Sequence, residues 1–251
     1  MQDKSNHRKN KTNYGRYMKL LLTGDWHIRQ SNPENRTDNY FDTLVTKLMI
    51  LFERGKNEDL PILQPGDFFD SPNQSNYVLS LLIGNAVNLH TIFCVMGQHD
   101  LRFRNKGNTA LDVLEAANIV QIITTKPFSY TSNVHIYGCS FGEEIPEIIT
   151  PNKFNILLIH KMIVENKLWA TQEGHVFAMN LLRKTKFDLI ISGDNHTSFI
   201  SEYKDRLLVN CGSLMRSSKE QIDHKQMFVI YKTETRKYDL NYIPIAPAET
   251  V

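Results

Sequence analysis

The sequence predicts an α/β protein built as a four-layer α/β/β/α sandwich, in which two mixed sheets pack face to face between outer helices. Strand-like apolar runs alternate with helical patterns as far as about residue 123, which is typical of α/β chains. The remainder has many short strand patterns and one clear helical pattern, which favours a second sheet. No stretch rich in proline, glycine and serine divides the chain, so we expect residues 17–251 to form one domain.

The first half of the chain contains the predicted strand–helix alternation. Met18 opens the first strand. Between Thr37 and Arg54 apolar residues recur every three or four positions, which predicts a helix. A second helix is predicted over 72–88, with Pro72 near its N-terminus, and a third over 108–117.

The second half contains a helix predicted near 175–184 and a series of short strands. The predicted strands are 119–123, 133–139, 154–160, 187–192, 197–202, 206–210, 226–232 and 236–243.

Composition is that of an ordinary globular protein, with 41% hydrophobic and 22% charged residues. No run approaches the roughly 18 apolar residues that span a membrane, so we expect no membrane association. The three cysteines lack CxxC spacing, and Cys94 lies in an apolar strand, so neither a disulfide framework nor a zinc–thiolate site is predicted. These features favour a reducing, cytoplasmic setting.

The net charge of +2 conceals an uneven distribution. Residues 1–16 contain five basic groups and one acid, so the remaining residues have 24 basic and 26 acidic groups. We expect this polar tail to be disordered, and it lacks the apolar segment of a secretory signal. The tail is a weak indication of a nucleic-acid partner, because such tails are often merely solvated.

Four strand patterns stop at a glycine that is followed at once by metal-ligand side chains: LLLTGDWH, ILQPGDFFD, TIFCVMGQHD and FDLIISGDNH. A fifth run, FNILLIH, ends in a histidine. Sites in α/β sheets assemble at the carboxyl ends of strands, so these five ends predict one shared site. Mixed oxygen and imidazole ligands suit manganese, iron or zinc better than calcium. The candidate ligands are Asp25, His27, Asp67, Gln98, His160, Asp194 and His196.

The ordered set GDWH, GDFFD, GQHD, IH and GDNH resembles the signature of calcineurin-like metallophosphoesterases, over roughly residues 18–245. Within that superfamily, GDFFD, HDLRF and NCGSLMR resemble the SbcD-type (meiotic-recombination-eleven-like) DNA repair exonucleases.

The resemblance implies a site for two divalent metal ions, with manganese favoured and magnesium as the alternative. One ion would be held by Asp25, His27, Asp67 and His196, and the other by Asp67, Gln98, His160 and Asp194. His99 matches the catalytic histidine of the family, with Asp100 expected to orient its ring. Gln98 stands where the family has asparagine and Asp194 where it has histidine, and both departures favour oxygen-loving ions over zinc.

Several neighbouring residues have two interpretations. Arg102, Arg104 and Arg216 could contact a phosphate backbone or belong to solvated loops. Asp70 is expected to be an acid at a helix N-terminus rather than a ligand, and Trp26 to pack beneath the site rather than stack on a base.

The expected function is that of a metal-dependent nuclease that hydrolyses DNA phosphodiester bonds in repair, recombination or replication. Two alternatives stay open: a phosphatase or small-molecule phosphodiesterase on the same fold, and a catalytically inactive scaffold. The resemblance implies DNA and a coiled-coil SbcC-type ATPase as partners and leaves a homodimer open.

Overall fold

The computed structural model describes the chain in seven segments: residues 18–34, 36–86, 89, 91–102, 107–165, 175–218 and 221–244. The tail over 1–16, which we expect to be disordered, lies outside these segments.

The first sheet has six strands and is mixed. Its inner strands run parallel, whereas the two strands at one side pair antiparallel with their neighbours. In spatial order these are β14 (Lys237–Tyr242), β13 (Met227–Lys232), β1 (Lys19–Leu22), β2 (Ile62–Gln64), β3 (Ile92–Cys94) and β4 (Val120–Ile122).

The second sheet also has six strands, with a parallel centre and one antiparallel strand at each edge. The order is β11 (Phe199–Tyr203), β12 (Arg206–Asn210), β10 (Leu189–Gly193), β7 (Phe154–His160), β6 (Val134–Cys139) and β5 (Phe128–Ser129). A separate parallel pair is formed by β8 (Ile163–Val164) and β9 (Val176–Phe177).

The described residues form four helices, α1 (Tyr40–Glu58), α2 (Asn76–Ala86), α3 (Ala110–Ala116) and α4 (Ala178–Lys184). The side chain of Asn39 accepts the backbone N–H of Asp42, which explains why α1 begins later than the predicted residue 37. Helix α2 begins after Ser75, whose hydroxyl accepts the backbone N–H of Val78, rather than at Pro72. A polar residue that can cap the first turn therefore decides where each of these helices starts.

Three apolar clusters produce four layers. Alternate residues of β1 face opposite ways: Leu20 and Leu22 lie between the sheets, whereas Leu21 packs against the helices α1 to α3. On the other side, β7 directs Leu158 between the sheets and Leu157 toward α4. The α/β/β/α sandwich expected from the sequence is confirmed.

No helix among the described residues is long and apolar enough to cross a membrane. Cys94, Cys139 and Cys211 are all buried, and none of these three forms a disulfide bond.

Candidate metal centre

The predicted ligands lie at one end of the sandwich, where strands of both sheets stop. Strands β1, β2 and β3 of the first sheet lead into the segments that carry four of them, and β7 and β10 of the second sheet lead to the other three. The four are Asp25, His27, Asp67 and Gln98, and the three are His160, Asp194 and His196.

In the first group of candidate ligands, the imidazole rings of His27 and His196 pack face to edge beside two buried carboxylates. The Nε2 atoms of His27 and His196 lie 3.0 Å apart. The same atom of His27 is 3.6 Å from Asp67 Oδ2, and that of His196 is 3.7 Å from Asp25 Oδ2. Two ring nitrogens at this distance need a proton or a cation between them, because their lone pairs otherwise repel.

Two carboxylate oxygens at the centre, Asp25 Oδ1 and Asp67 Oδ2, are buried without a hydrogen-bond partner. A buried charge without a partner is costly. A divalent cation would satisfy both oxygens and both imidazole nitrogens, so the residues present fit the metal that the sequence predicts.

The second group surrounds His160. Its Nδ1 lies 2.8 Å from the carbonyl oxygen of Pro65, and its Nε2 lies 2.8 Å from Gln98 Oε1 and 3.4 Å from Asp67 Oδ2. The amide nitrogen of Gln98 donates to Asp194 Oδ1 at 3.2 Å. The residues predicted to hold the second ion are therefore together, and Nε2 of His160 faces oxygen acceptors where a cation could replace its proton.

The electrostatics of the cluster follow from burial and crowded charge. Burial raises the pKa of Asp25 to about 7. Burial opposes protonation of His160, but the Asp67 carboxylate, 3.4 Å from its Nε2, outweighs that effect and raises the pKa of His160 to about 10. Burial, together with the positive charge of His27, lowers the pKa of His196 to about 4. Without a metal, the centre therefore holds a proton on His160.

Glycines at the strand ends make room for the ligands. A Cβ on Gly97 would lie only 2.7 Å from Asp67 Cγ, and one on Gly193 would lie 2.9 Å from His160 Nδ1. Gly66 adopts a φ of +105°, and a Cβ there would collide with the ring of His160. The recurring glycine thus permits close approach of ligand side chains as well as sharp turns.

Three candidate ligand residues have left-handed backbone conformations. The φ angles are +46° at His27, +47° at Asp67 and +77° at Asp194. Such conformations cost on the order of 1–3 kcal/mol each in non-glycine residues and cluster at functional sites.

His99 contacts two candidate metal ligands, one through its backbone and one through its ring. Its N–H donates to Asp67 Oδ1 at 2.9 Å, and its ring lies against that of His27 with centroids 5.0 Å apart. Its Nδ1 is 3.1 Å from the carbonyl oxygen of Asp70. Donation from Nδ1 to that carbonyl would leave Nε2 as the atom that exchanges a proton.

Asp100 contacts backbone rather than the ring that we expected it to orient. Its buried carboxylate accepts N–H groups of Phe68, Phe69 and Gly97 at 3.2, 2.9 and 2.9 Å. Burial raises its pKa to about 6. Asp100 therefore ties the segment after β2 to the segment after β3, and Asp70 supplies the hydrogen-bond partner of the His99 ring.

A model of calcineurin-like phosphoesterases matches residues 18–198, which is most of the chain. The protein belongs to this family. The family assignment agrees with the two groups of ligands, since these phosphoesterases use divalent metals.

Solved structures agree with the fold. A protein of Thermus thermophilus is 11% identical with a TM-score of 0.60, over 90% of this chain and 99% of that one. A candidate 5'-nucleotidase of Staphylococcus aureus is 14% identical with a TM-score of 0.52, over 93% of this chain and 56% of that one. An archaeal phosphodiesterase is 14% identical with a TM-score of 0.50, over 90% and 100%. At these identities the likeness establishes the fold alone.

One curated sequence also matches in part. It is a tRNA (guanine(37)-N(1))-methyltransferase of Caenorhabditis elegans, 25% identical over 111 residues, which are 44% of this chain and 22% of that protein. The match spans too little of that protein to transfer its activity.

Asp70 does not begin a helix, so the expectation of a helix N-terminal acid is wrong. Helix α2 starts at Asn76. The carboxylate of Asp70 instead pairs with Arg29 Nη1 at 3.0 Å and lies 3.5 Å from His27 Nδ1. Asp70 thus lies behind a metal-ligand candidate, where carboxylates commonly orient a ligating imidazole.

The three arginines predicted to contact substrate have different surroundings. Arg102 is exposed just after Asp100, and Arg104 lies outside the described residues. Arg216 is buried, and its Nε donates to the carbonyl oxygen of His224 at 3.0 Å. Its own carbonyl accepts Arg36 Nη1 at 2.7 Å, so Arg216 braces the loop after β12.

Trp26 is fully buried and packs against Phe52 and Phe68, with ring centroids 5.9 and 4.6 Å away. Its indole N–H donates to Thr23 Oγ1 at 3.0 Å. Packing beneath the site, which the sequence favoured over base stacking, is confirmed.

The segment after β12 contributes contacts that sequence reasoning did not assign. The N–H of Asp25 donates to the carbonyl of Gly212 at 3.1 Å, and the carbonyl of Asp25 accepts the N–H of Leu214 at 2.8 Å. A Cβ on Gly24 would collide with Gly212. The NCGS stretch, which follows a strand of the second sheet, thus fixes the backbone of Asp25, which follows a strand of the first. The glycines at positions 24 and 212 were the sequence signal for this close approach of two backbone segments.

Proposed function

We propose that this protein is a metal-dependent nuclease that hydrolyses DNA phosphodiester bonds in repair, recombination or replication within the cytoplasm. The observation that carries the phosphodiester chemistry is the convergence of both ligand groups on Asp67, with His99 hydrogen-bonded to the same carboxylate. The choice of DNA rests on the resemblance of HDLRF and NCGSLMR to SbcD-type nucleases.

The chain's own residues would divide the work as follows. Asp25, His27, Asp67 and His196 would hold one divalent ion, and Asp67, Gln98, His160 and Asp194 the other, with manganese preferred. Bound ions at such sites neutralise phosphate charge and lower the pKa of water for in-line attack. His99, held through Nδ1 by the Asp70 carbonyl, would present Nε2 to protonate the leaving oxygen.

The experiment is DNA cleavage in manganese by the wild type and by matched histidine variants. We expect His99→Ala to reduce cleavage of linear double- and single-stranded DNA by about 10²–10⁴-fold, the usual contribution of general acid catalysis. His135→Ala is the control, because His135 lies near the start of β6, at the opposite end of the second sheet from the ligands. Equal, background cleavage by wild type and His99→Ala would refute nuclease activity.

Two measurements separate the alternatives from the proposal. Turnover of an aryl phosphomonoester without DNA cleavage would support a phosphatase. Metal analysis after dialysis against manganese tests the inactive scaffold, because two ions per chain argue against it and none argue for it.

We further propose that a coiled-coil ATPase of the SbcC type binds the protein. The test is affinity purification of the tagged protein from its native cells, with size-exclusion chromatography for the homodimer. Recovery of the protein without any ATPase would contradict the ATPase partner.

A further inference from the structure

A groove of about 370 Å³ adjoins the metal centre on the side of His196. Sites for small ligands commonly have about 300–1,000 Å³, so the groove can hold a ligand fragment of modest size. The side chains that define it here are His196, Thr197, Ser198, His224, Lys225 and Tyr242.

Strand register explains why distant residues meet in this groove. Leu22, at the end of β1, pairs with Val229, and Met227, at the start of β13, pairs with Tyr242 at the end of β14. The segment before β13 and the end of β14 therefore lie at the same end of the sheet as the candidate ligands that follow β1. The groove therefore extends from the candidate ligand His196 to Tyr242.

The floor of the groove is fixed by hydrogen bonds. The carbonyl of His196 accepts the N–H of Ser213 at 3.2 Å, and the N–H of Thr197 donates to Asn195 Oδ1 at 3.0 Å. His224, which also lines the groove, has its Nε2 2.7 Å from the carbonyl of Ser213. These bonds make the wall a preformed surface, as small-molecule sites usually are.

The charges of the groove favour a neutral group over a second phosphate. Lys225 contributes one positive charge, and Asp223, which also lines the groove, contributes one negative charge. Both side chains belong to exposed residues and offer hydrogen-bonding groups of opposite kind. A base and its sugar carry donors and acceptors but no net charge.

Tyr242 supplies an aromatic face at the groove. Tyr242 ends β14 and is 61% exposed, although the residue that pairs with it, Met227, is buried. Exposed aromatic rings stack on nucleic-acid bases with little dependence on sequence.

We propose that this groove binds the nucleoside next to the phosphodiester group at the metal centre, with Tyr242 stacking on the base. The inference rests on the proposed function for the identity of the substrate. It adds a subsite that recognises a nucleoside, and Tyr242 as the residue that recognises it.

Binding of a fluorescent oligothymidylate, followed by anisotropy in EDTA and at fixed salt, tests the subsite without requiring catalysis. We expect Tyr242→Ala to weaken binding about tenfold, within the range of alanine substitutions at stacked bases. Tyr77→Ala is the matched control, since Tyr77 is 59% exposed on α2, and should bind as wild type does. An abasic oligonucleotide should bind wild type and Tyr242→Ala equally.

A second experiment uses catalysis with manganese. Thymidine 5'- and 3'-p-nitrophenyl phosphates are compared with methyl p-nitrophenyl phosphate, which shares the leaving group but lacks the nucleoside. We expect Tyr242→Ala to lower kcat/KM for a thymidine ester and leave the methyl ester unchanged.

The outcomes separate the two proposals. Equal oligothymidylate affinity of Tyr242→Ala and wild type would overturn the subsite, whatever the activity. Loss of affinity in Tyr242→Ala alone, without cleavage of any DNA by wild type, would support the subsite and refute the nuclease.

Discussion

Replacement of Gly97 by alanine should damage the metal centre through a single methyl group. The added Cβ would lie 2.7 Å from Asp67 Cγ and closer still to Asp67 Oδ1 and to the backbone nitrogen of Asp67, whereas ordinary contact begins at 3.4 Å, so both the carboxylate and the backbone must move. Forced overpacking of this kind costs about 1–3 kcal/mol of unfolding free energy. Asp67 is the ligand shared by both predicted ions, and misplacement of a reacting group by about 1 Å can cost 10²-fold in rate.

Gly84→Ala is the matched control for this change. Gly84 lies inside α2, and nothing lies within 4 Å of its Cβ position, so alanine there should stabilise the helix by about 0.8–1.0 kcal/mol. Urea unfolding in EDTA, manganese titration by calorimetry and DNA cleavage are measured for both variants. If Gly97→Ala matched Gly84→Ala in stability and manganese affinity, the claim that glycine makes room for Asp67 would be refuted.

Three further substitutions test other parts of the centre. Asp25→Asn should stabilise the metal-free protein on the order of 4 kcal/mol at pH 8, since burial raises the pKa of Asp25 from 3.8 to about 7 and one pKa unit is about 1.4 kcal/mol. The folded state disfavours the charged carboxylate, so the gain in unfolding free energy grows as the pH rises above the ordinary pKa of 3.8. Urea unfolding in EDTA should therefore show a smaller gain at pH 5 than at pH 8. Asp194→His should shift the bound metal from manganese toward zinc, as measured by elemental analysis after competition, because imidazole replaces a hard oxygen ligand; an unchanged metal ratio would contradict a ligand role. Trp26→Ala should cost about 3–5 kcal/mol in urea unfolding, because a fully buried ring that packs on Phe68 is lost.

The sequence predicted the fold correctly, and it indicated candidate ligands, because both depend on local patterns. A strand that ends in glycine and is followed by Asp or His carries its own signal, as at Asp25, Asp67 and Asp194. Parallel strands then bring these strand ends together, and the structure places all seven predicted metal ligands at one end of the sandwich.

Features that depend on contacts through space were not predictable from those patterns. The two-residue strands β5, β8 and β9 have too few residues for an alternating pattern to show. The position of Asp70 behind His27 depends on an ion pair with Arg29, which lies far earlier in the chain. Asp100 looked like a partner of the neighbouring ring, yet backbone N–H groups of another segment surround its carboxylate.

The ligands come from both sheets, since His27 follows β1 in the first sheet whereas His160 ends β7 in the second. Divalent ions held by these residues and by Asp67, which both predicted sites share, would therefore link the two sheets in addition to their chemical role. During refolding, neither sheet alone could assemble the full set of donors, so tight metal uptake would have to wait for the sheets to dock. Loss of the ions would conversely weaken the attachment of one sheet to the other. The apolar cluster between the sheets, which includes Leu20 and Leu158, would then separate more readily.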